Sequence, residues 1–424
     1  MAAALALAAS CNKIEVASTP VPTETITVEL NPQTKTVLDG KNTVWSAGDE
    51  VSVTVGGEKV GTLELVSGST FSGEIKAGLE GEAVATLNYG EETVPATQVA
   101  VAGSFANGAA LLKGTTTVAA LRAGTGATLQ NQTALLQFQT PVAGDVAFTI
   151  GSTTYTVTGC KTDETYYACV DPANTGKLTY TVGVVLGGKE AASFTPVANK
   201  IHPLGTLTLK ESNLFSLSGD PNGWGDTKLY ETTQDNFFVY YGFNFTSQGK
   251  FKIRKPDVDW QDACNFGSAN TSVKAKNTAI GVFTHGSSAD IIVASGTYDI
   301  YFDRLAGQVY LMESGKPYTE ATKQTKPSTT YSLAGTFNGW GNKEMTYSGD
   351  GIWTVVQEFA KNAEWKIKQT ANWNNTYTNV WVGWENKSEG SDGNVKMNNA
   401  GVYVISFIEK NQNDDKNIIT LLQK

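Results

Sequence analysis

From Thr25 to Leu209 apolar and polar residues alternate with a period of two, as in a half-buried strand whose successive side chains leave opposite faces. Thr25-Ile26-Thr27-Val28-Glu29-Leu30 and Val51-Ser52-Val53-Thr54-Val55 show it clearly. The glycine pairs Gly56-Gly57 and Gly187-Gly188 mark hairpin turns between such runs. No stretch of useful length carries an apolar stripe at helical spacing. The pattern predicts an all-β region of about 185 residues, a size for one or two β-sandwich units. A break near Gly114 divides it into 25–115 and 116–210.

Beyond residue 210 the chain repeats itself. Ser216-Leu217-Ser218-Gly219-Asp220-Pro221-Asn222-Gly223-Trp224-Gly225 returns as Ser332-Leu333-Ala334-Gly335-Thr336-Phe337-Asn338-Gly339-Trp340-Gly341, with seven of ten positions identical. Phe251-Lys252-Ile253-Arg254 then matches Trp365-Lys366-Ile367-Lys368, and a lone tryptophan follows each, Trp260 and Trp373. Gly296-Thr297-Tyr298-Asp299-Ile300-Tyr301-Phe302 matches Gly401-Val402-Tyr403-Val404-Ile405-Ser406-Phe407. Ordered matches at near-equal spacing identify a tandem duplication of a module of about 100 residues, the usual size of a β-sandwich. The copies are 211–313 and 330–424. Between them, 314–329 holds Pro317 and Pro327 among Lys and Thr and is expected to be an exposed, semi-rigid spacer.

Composition supports several domains: the chain has 424 residues, 40% of them apolar. Charged residues are only 17% and the net charge is -9, which argues against binding nucleic acid through a basic surface. The two histidines, His202 and His285, exclude a multi-histidine metal site. Eight of the nine tryptophans lie in the repeated half, six of them in the second copy. No pair of carboxylates is singled out by a motif, as a glycosidase cleft would require, and no phosphate loop opens a helix. We therefore expect no enzyme activity and no cofactor. Asp414-Asp415 reads as a hairpin turn.

At the start of the chain, Ala2 to Ala9 is an apolar run too short to span a bilayer, ending in small residues like a secretory signal. Leu7-Ala8-Ala9-Ser10-Cys11 resembles a bacterial lipobox, its leucine one position further from the cysteine than is usual. The resemblance implies residues 1–11 as a signal segment, a lipid on Cys11 and a polar tether over 12–24. Export permits disulfides. Cys160 and Cys169 flank the polar stretch Lys161 to Thr165, and two alternatives stand: a hairpin-closing disulfide or two free thiols. Cys264 is expected to be a small buried residue.

The repeated motifs carry the candidate chemistry. Asn-Gly favours a tight turn with positive φ, which would fix each following tryptophan at one point on the sheet. Alternation puts Phe251 and Ile253 on one strand face and Lys252 and Arg254 on the other, with Trp365, Ile367, Lys366 and Lys368 disposed likewise. An aromatic plane beside a long cationic donor suits a sugar: the ring covers the apolar face of a pyranose, and Lys or Asn bonds the hydroxyls. Each residue also has a plainer account. Trp224 and Trp340 serve equally well as turn packing, and Lys252 and Lys366 as solvated strand residues. Trp260 and Trp373 lie in polar loops, where binding is the better account. Trp381 and Trp384 either extend the second site or fill its core. Trp353, Trp365, Tyr298 and Tyr403 are expected in the core.

Two resemblances complete the picture. Thr34-Lys35-Thr36, Trp45-Ser46-Ala47-Gly48-Asp49-Glu50-Val51-Ser52-Val53, Asn131 to Phe138 and Leu204-Gly205-Thr206-Leu207 resemble the fimbrillin-like proteins of Bacteroides-type bacteria. That implies a cell-surface lipoprotein with two sandwich units and no chemistry; Trp45 and Asp49 themselves read as core and turn. The second half is similar to the immunoglobulin-like starch- and glycogen-binding modules, which occur in the SusE/SusF outer-membrane lipoproteins and the glycogen-sensing kinase subunit. Gly335-Thr336-Phe337-Asn338-Gly339-Trp340, Lys366 and Trp373 match well; in the first copy Pro221 replaces the Phe, while Asn222, Trp224, Lys252 and Trp260 remain. The resemblance implies stacking pairs Trp224 with Trp260 and Trp340 with Trp373, and hydroxyl donors Lys252 and Lys366. It also implies a polysaccharide partner, an α-glucan first, an outer-membrane location and glycan-uptake proteins as partners. The alternative is a structural or adhesive fimbria-associated protein whose sandwiches are spacers.

Overall fold

The computed structural model describes residues 21–33, 45, 47–90, 93–106, 109–260, 265–286, 288–409 and 417–424. Cys11, most of the tether, Thr34-Lys35-Thr36, Ser46, Cys264 and Asp414-Asp415 lie outside the described residues. The chain is all-β and multidomain, and it forms two compact units. The first is drawn from Met1–Gln137, Tyr167–Thr175 and Thr195–Pro203, the second from Phe138–Tyr166, Gly176–Phe194 and Leu204–Lys424.

In the first unit seven strands close into a barrel. The 11-residue strand Thr23–Gln33 makes closure possible. Its first part pairs antiparallel with Thr70–Lys76, and its end pairs parallel with Ala127–Asn131. Alternation sends Ile26, Val28, Leu30, Val51, Val53, Phe71 and Leu87 into one core. A sandwich is expected here from the sequence; the sheet instead curls until its edges meet. Glycines permit the curl: a Cβ on Gly61 would stand 2.3 Å from the Glu74 carbonyl oxygen, and one on Gly114 2.5 Å from that of Thr128. Gly114, the expected break, thus lies inside the barrel strand Leu112–Thr117, and the barrel runs on to Asn131. Trp45 packs its edge against Phe71 and Tyr89 and donates to the Leu30 carbonyl, while Asp49 accepts from Tyr89. Both are structural, in keeping with the core-and-turn account.

Cys160 and Cys169 are free, buried thiols, which settles the alternative against a disulfide. Burial pushes each thiol up to about 12. Because the thiolate is the reactive form, neither is expected to alkylate in the native protein at neutral pH, and both should do so in urea. Peptide-resolved mass spectrometry after iodoacetamide checks this; native labelling at either position contradicts it.

In the second unit, Gly144–Ile150, Thr153–Cys160, Gly176–Val182 and two short strands form one sheet. The duplicated modules follow. Each packs two layers around an aromatic core, the first through Leu217, Phe238, Phe251, Ile253 and Tyr298, the second through Leu333, Trp353, Trp365, Ile367 and Tyr403. Trp353, Trp365, Tyr298 and Tyr403 are all core, as expected. The copies differ at one edge. Thr227–Glu231 bridges the layers of the first into one continuous sheet. The corresponding stretch of the second is split between Lys343–Glu344 and Thr346–Gly349.

The segment 314–329 is largely exposed, but it is no free spacer. Tyr318 packs against Phe237, Tyr301 and Tyr310, and Thr322 exchanges backbone hydrogen bonds with Asn277 and Ala279. The copies themselves are docked. Ala269 and Phe283 share an apolar cluster with Ile352, Ile408 and Ile418. Beside it Lys274 Nζ reaches Asp350 Oδ2 at 3.1 Å, the two side chains only 4% and 10% exposed.

Candidate functional site

The repeated decapeptide folds identically in both modules. A strand ending at Gly219 or Gly335 enters a short 3-10 turn, Asp220–Asn222 or Thr336–Asn338. Gly223 and Gly339 then take left-handed φ of 61° and 60°. The next residue does so too, with Trp224 at 64° and Trp340 at 65°. Left-handed backbone at a bulky aromatic is costly, of the order of 1–3 kcal/mol, and such outliers concentrate at functional positions.

Asn222 and Asn338 hold this turn. Asn222 Oδ1 accepts from Gly219 N–H (2.9 Å), and Nδ2 donates to Leu217 and Gly225 carbonyls and to Thr227 Oγ1. Asn338 accepts from Gly335 N–H and donates to the Leu333 and Gly341 carbonyls. These asparagines set the tryptophans; their hydrogen-bonding atoms face their own loop. Asn222→Ala is expected to cost the first module about 1–3 kcal/mol, as paired backbone groups lose their partner. A fall in melting temperature is the expected result; an unchanged melt would contradict the clamp.

In the first module Trp224, half-buried, donates from Nε1 to Asp220 Oδ1 at 3.0 Å. Its ring centroid lies 5.9 Å from that of Trp260, the planes inclined at 57°. Trp260 is 46% exposed. Arg254 lies beneath it, its guanidinium carbon 4.4 Å from the ring centroid. Arg254 is itself buried, paired with Asp226 and bonded to the Val258 carbonyl. The result is a shallow V of two indoles, one backed by a cation.

The second module repeats the cation beneath an exposed tryptophan, but Trp373 stands on the strand Asn372–Tyr377 rather than in the polar loop expected from the sequence. Trp373 is 49% exposed, with Lys368 Nζ 4.6 Å from its centroid. Lys368 is buried, and its ammonium also donates to the Thr370 carbonyl at 2.9 Å. Lys366 stands 5.9 Å over the half-buried Trp340. The pairing register explains the correspondence: Ser216 opposes Arg254 and Ser332 opposes Lys368, while Ser218 opposes Lys252 and Ala334 opposes Lys366.

The two expected donors part company. Lys366 is half-exposed beside its tryptophan. Lys252 is buried and donates to Ser288 O and Oγ at 2.7 and 3.1 Å. It is neither a solvated strand residue nor presented to a ligand; it ties a distant loop to the sheet. Arg254 and Lys368, which back the exposed tryptophans, were singled out in the sequence only as outward-facing. Their signal was the same alternation, carried one step further to the cation under the ring.

Trp381 and Trp384 do not fill the core. They are 40% and 65% exposed. Val382 between them points inward, and Gly383 takes φ 76° where a Cβ would stand 1.9 Å from the Leu421 carbonyl oxygen. Only glycine lets the chain hug that strand and turn Trp384 outward. Trp381 donates to the Asn417 carbonyl and meets His285 of the first module edge-on at 5.8 Å.

The described chain is thus an all-β, multidomain protein whose last two modules each carry an exposed, cation-backed indole and a left-handed tryptophan, the two rings meeting in the first module. No family model matches it, and no curated protein does. Among solved structures it is similar to the crystal structure of SusF from Bacteroides thetaiotaomicron, at 14% identity over 69% of this chain and 77% of that one, with a TM-score of 0.20.

Proposed function

We propose that the protein is a non-catalytic polysaccharide-binding protein with two tandem sites, one built on Trp224 and Trp260 and the other on Trp340, Lys366 and Trp373. The observation that carries this reading is the duplicated occurrence, within each module, of a strained turn tryptophan and an exposed tryptophan supported from below by a buried cation. A stiff, flat, half-wet indole suits the apolar face of a sugar ring. The cation beneath closes one face and leaves the other to the ligand. Trp381 and Trp384 offer further exposed indole surface on the second module. Arg254 supports the ring of Trp260, while Lys252, expected as a hydroxyl donor, is occupied by Ser288.

An α-glucan is the first ligand to try, on the strength of the motif resemblance. The same resemblance suggests a lipid-anchored, outer-membrane setting beside glycan-uptake proteins, with Cys11 as the lipidated residue. The test is affinity electrophoresis of the intact chain through gels containing starch, amylose, dextran or other glycans. Retardation on at least one is expected. None on any would leave the modules as spacers in a structural or adhesive protein.

A further inference from the structure

The second unit holds a cavity of about 680 Å³ whose lining includes none of the platform tryptophans. Three segments wall it: Pro141 to Ala143 with Gly183-Val184 from the preceding sheet, Tyr241 and Tyr301 from the first module, and Pro317-Tyr318 from the segment between the modules. Its volume falls within the range of sites that enclose small ligands, about 300–1,000 Å³.

Two features make it a preformed site. Tyr241 sits at a bulge: the register of strand Phe237–Phe245 slips between Tyr240 and Phe243, and Gly242 takes φ 74°. Bulges re-aim side chains, and this one delivers the tyrosine to the cavity wall. The bulge is fixed by Asp299, only 3% exposed, whose Oδ1 accepts from Gly242 N–H (2.9 Å) and Ser314 Oγ (3.0 Å). Its Oδ2 accepts from Gly315 N–H at 2.7 Å. One buried carboxylate therefore locks two separate parts of the wall.

The lining also defines a ligand class. Asp299 is committed to these bonds, and Lys316 at the wall pairs with Glu313 at 3.3 Å. The surface facing a ligand is then prolines, valines, tyrosine rings and hydroxyls, without a cluster of cations for a phosphate or carboxylate. Tyr241 meets Tyr301 edge-on, their ring centroids 6.1 Å apart. Each phenol brings a hydroxyl that can donate to or accept from a neutral polar ligand.

We propose that this cavity is a separate binding site for the end of a short neutral oligosaccharide, gripped between Tyr241 and the Pro317-Tyr318 wall. The ligand class rests on the glycan reading above; the site does not depend on the tryptophans. The test uses the full chain carrying Trp224→Ala, Trp260→Ala, Trp340→Ala and Trp373→Ala, titrated calorimetrically with soluble neutral di- to tetrasaccharides. Binding of at least one is expected to survive in this background. Adding Tyr241→Ala, or Ala143→Trp to fill the cavity from an exposed position, should weaken it at least tenfold, the second with the melting temperature unchanged. Affinity unmoved by both additions, or no oligosaccharide binding in the tryptophan-free background, overturns the proposal. Polymer retention that ignores the four tryptophan changes would instead overturn the platform reading, so the two failures are distinct.

Discussion

Replacing Trp260 and Trp373 together by alanine is expected to release the protein from a polysaccharide matrix while leaving its fold intact. Both indoles are close to half exposed, so their removal opens no core cavity. The cations beneath them keep other partners: Arg254 retains Asp226, and Lys368 retains the Thr370 carbonyl. Either single change leaves one platform, and the remaining interaction is monovalent. Loss of a linked second site typically lowers avidity by about 10² to 10⁴. Each single variant should therefore lose most of the retention and the double variant all of it, measured by affinity electrophoresis beside a thermal melt. The control is Trp365→Ala. That indole is fully buried, and its truncation is expected to cost about 3–5 kcal/mol of stability. Loss of retention with an unchanged melt separates binding from packing; full retention by the double variant would sink the assignment.

Asp350→Asn, an isosteric change at the buried pair, is expected to destabilise the joint between the modules. Asp350 has φ 52°, which Asn tolerates, so the backbone is not the cause. Lys274 Nζ and Asn270 Nδ2 donate to the two carboxylate oxygens of Asp350; the neutral amide can accept from only one of them and leaves the buried ammonium without its counter-charge. Removing one partner of a buried pair typically costs about 3–5 kcal/mol. In a urea titration the variant should show an earlier transition as the modules undock. Adding Lys274→Met, which removes the stranded charge, should restore most of the loss. If Asp350→Asn unfolds like the parent, the pair contributes nothing to the joint.

Local rules made much of this legible beforehand. Period-two alternation identified the strands, and the decapeptide repeat gave both the duplication and the turn that sets Trp224 and Trp340. What stayed hidden depends on partners far along the chain. Gly114 reads as punctuation until Thr128 is seen pressed against it. Alternation tells which face Lys252 occupies, but not that Ser288, 36 residues on, covers that face. The repeat shows two modules and a proline-bearing connection; it cannot show that Lys274 meets Asp350 across 76 residues. A single polar residue carries no periodic signature of its buried partner. The same holds for Trp381 and Trp384, whose outward course follows from a carbonyl on a later strand.

The docked joint has one more consequence. Because the modules are fixed to each other through Lys274, Asp350 and the apolar cluster beside them, their two platforms keep a constant phase. A polymer that satisfies both must repeat with a matching pitch. A branch point or an altered linkage could leave every sugar chemically unchanged and still fall out of step with the second platform. Discrimination between glycans would then reside partly in a joint that touches no sugar.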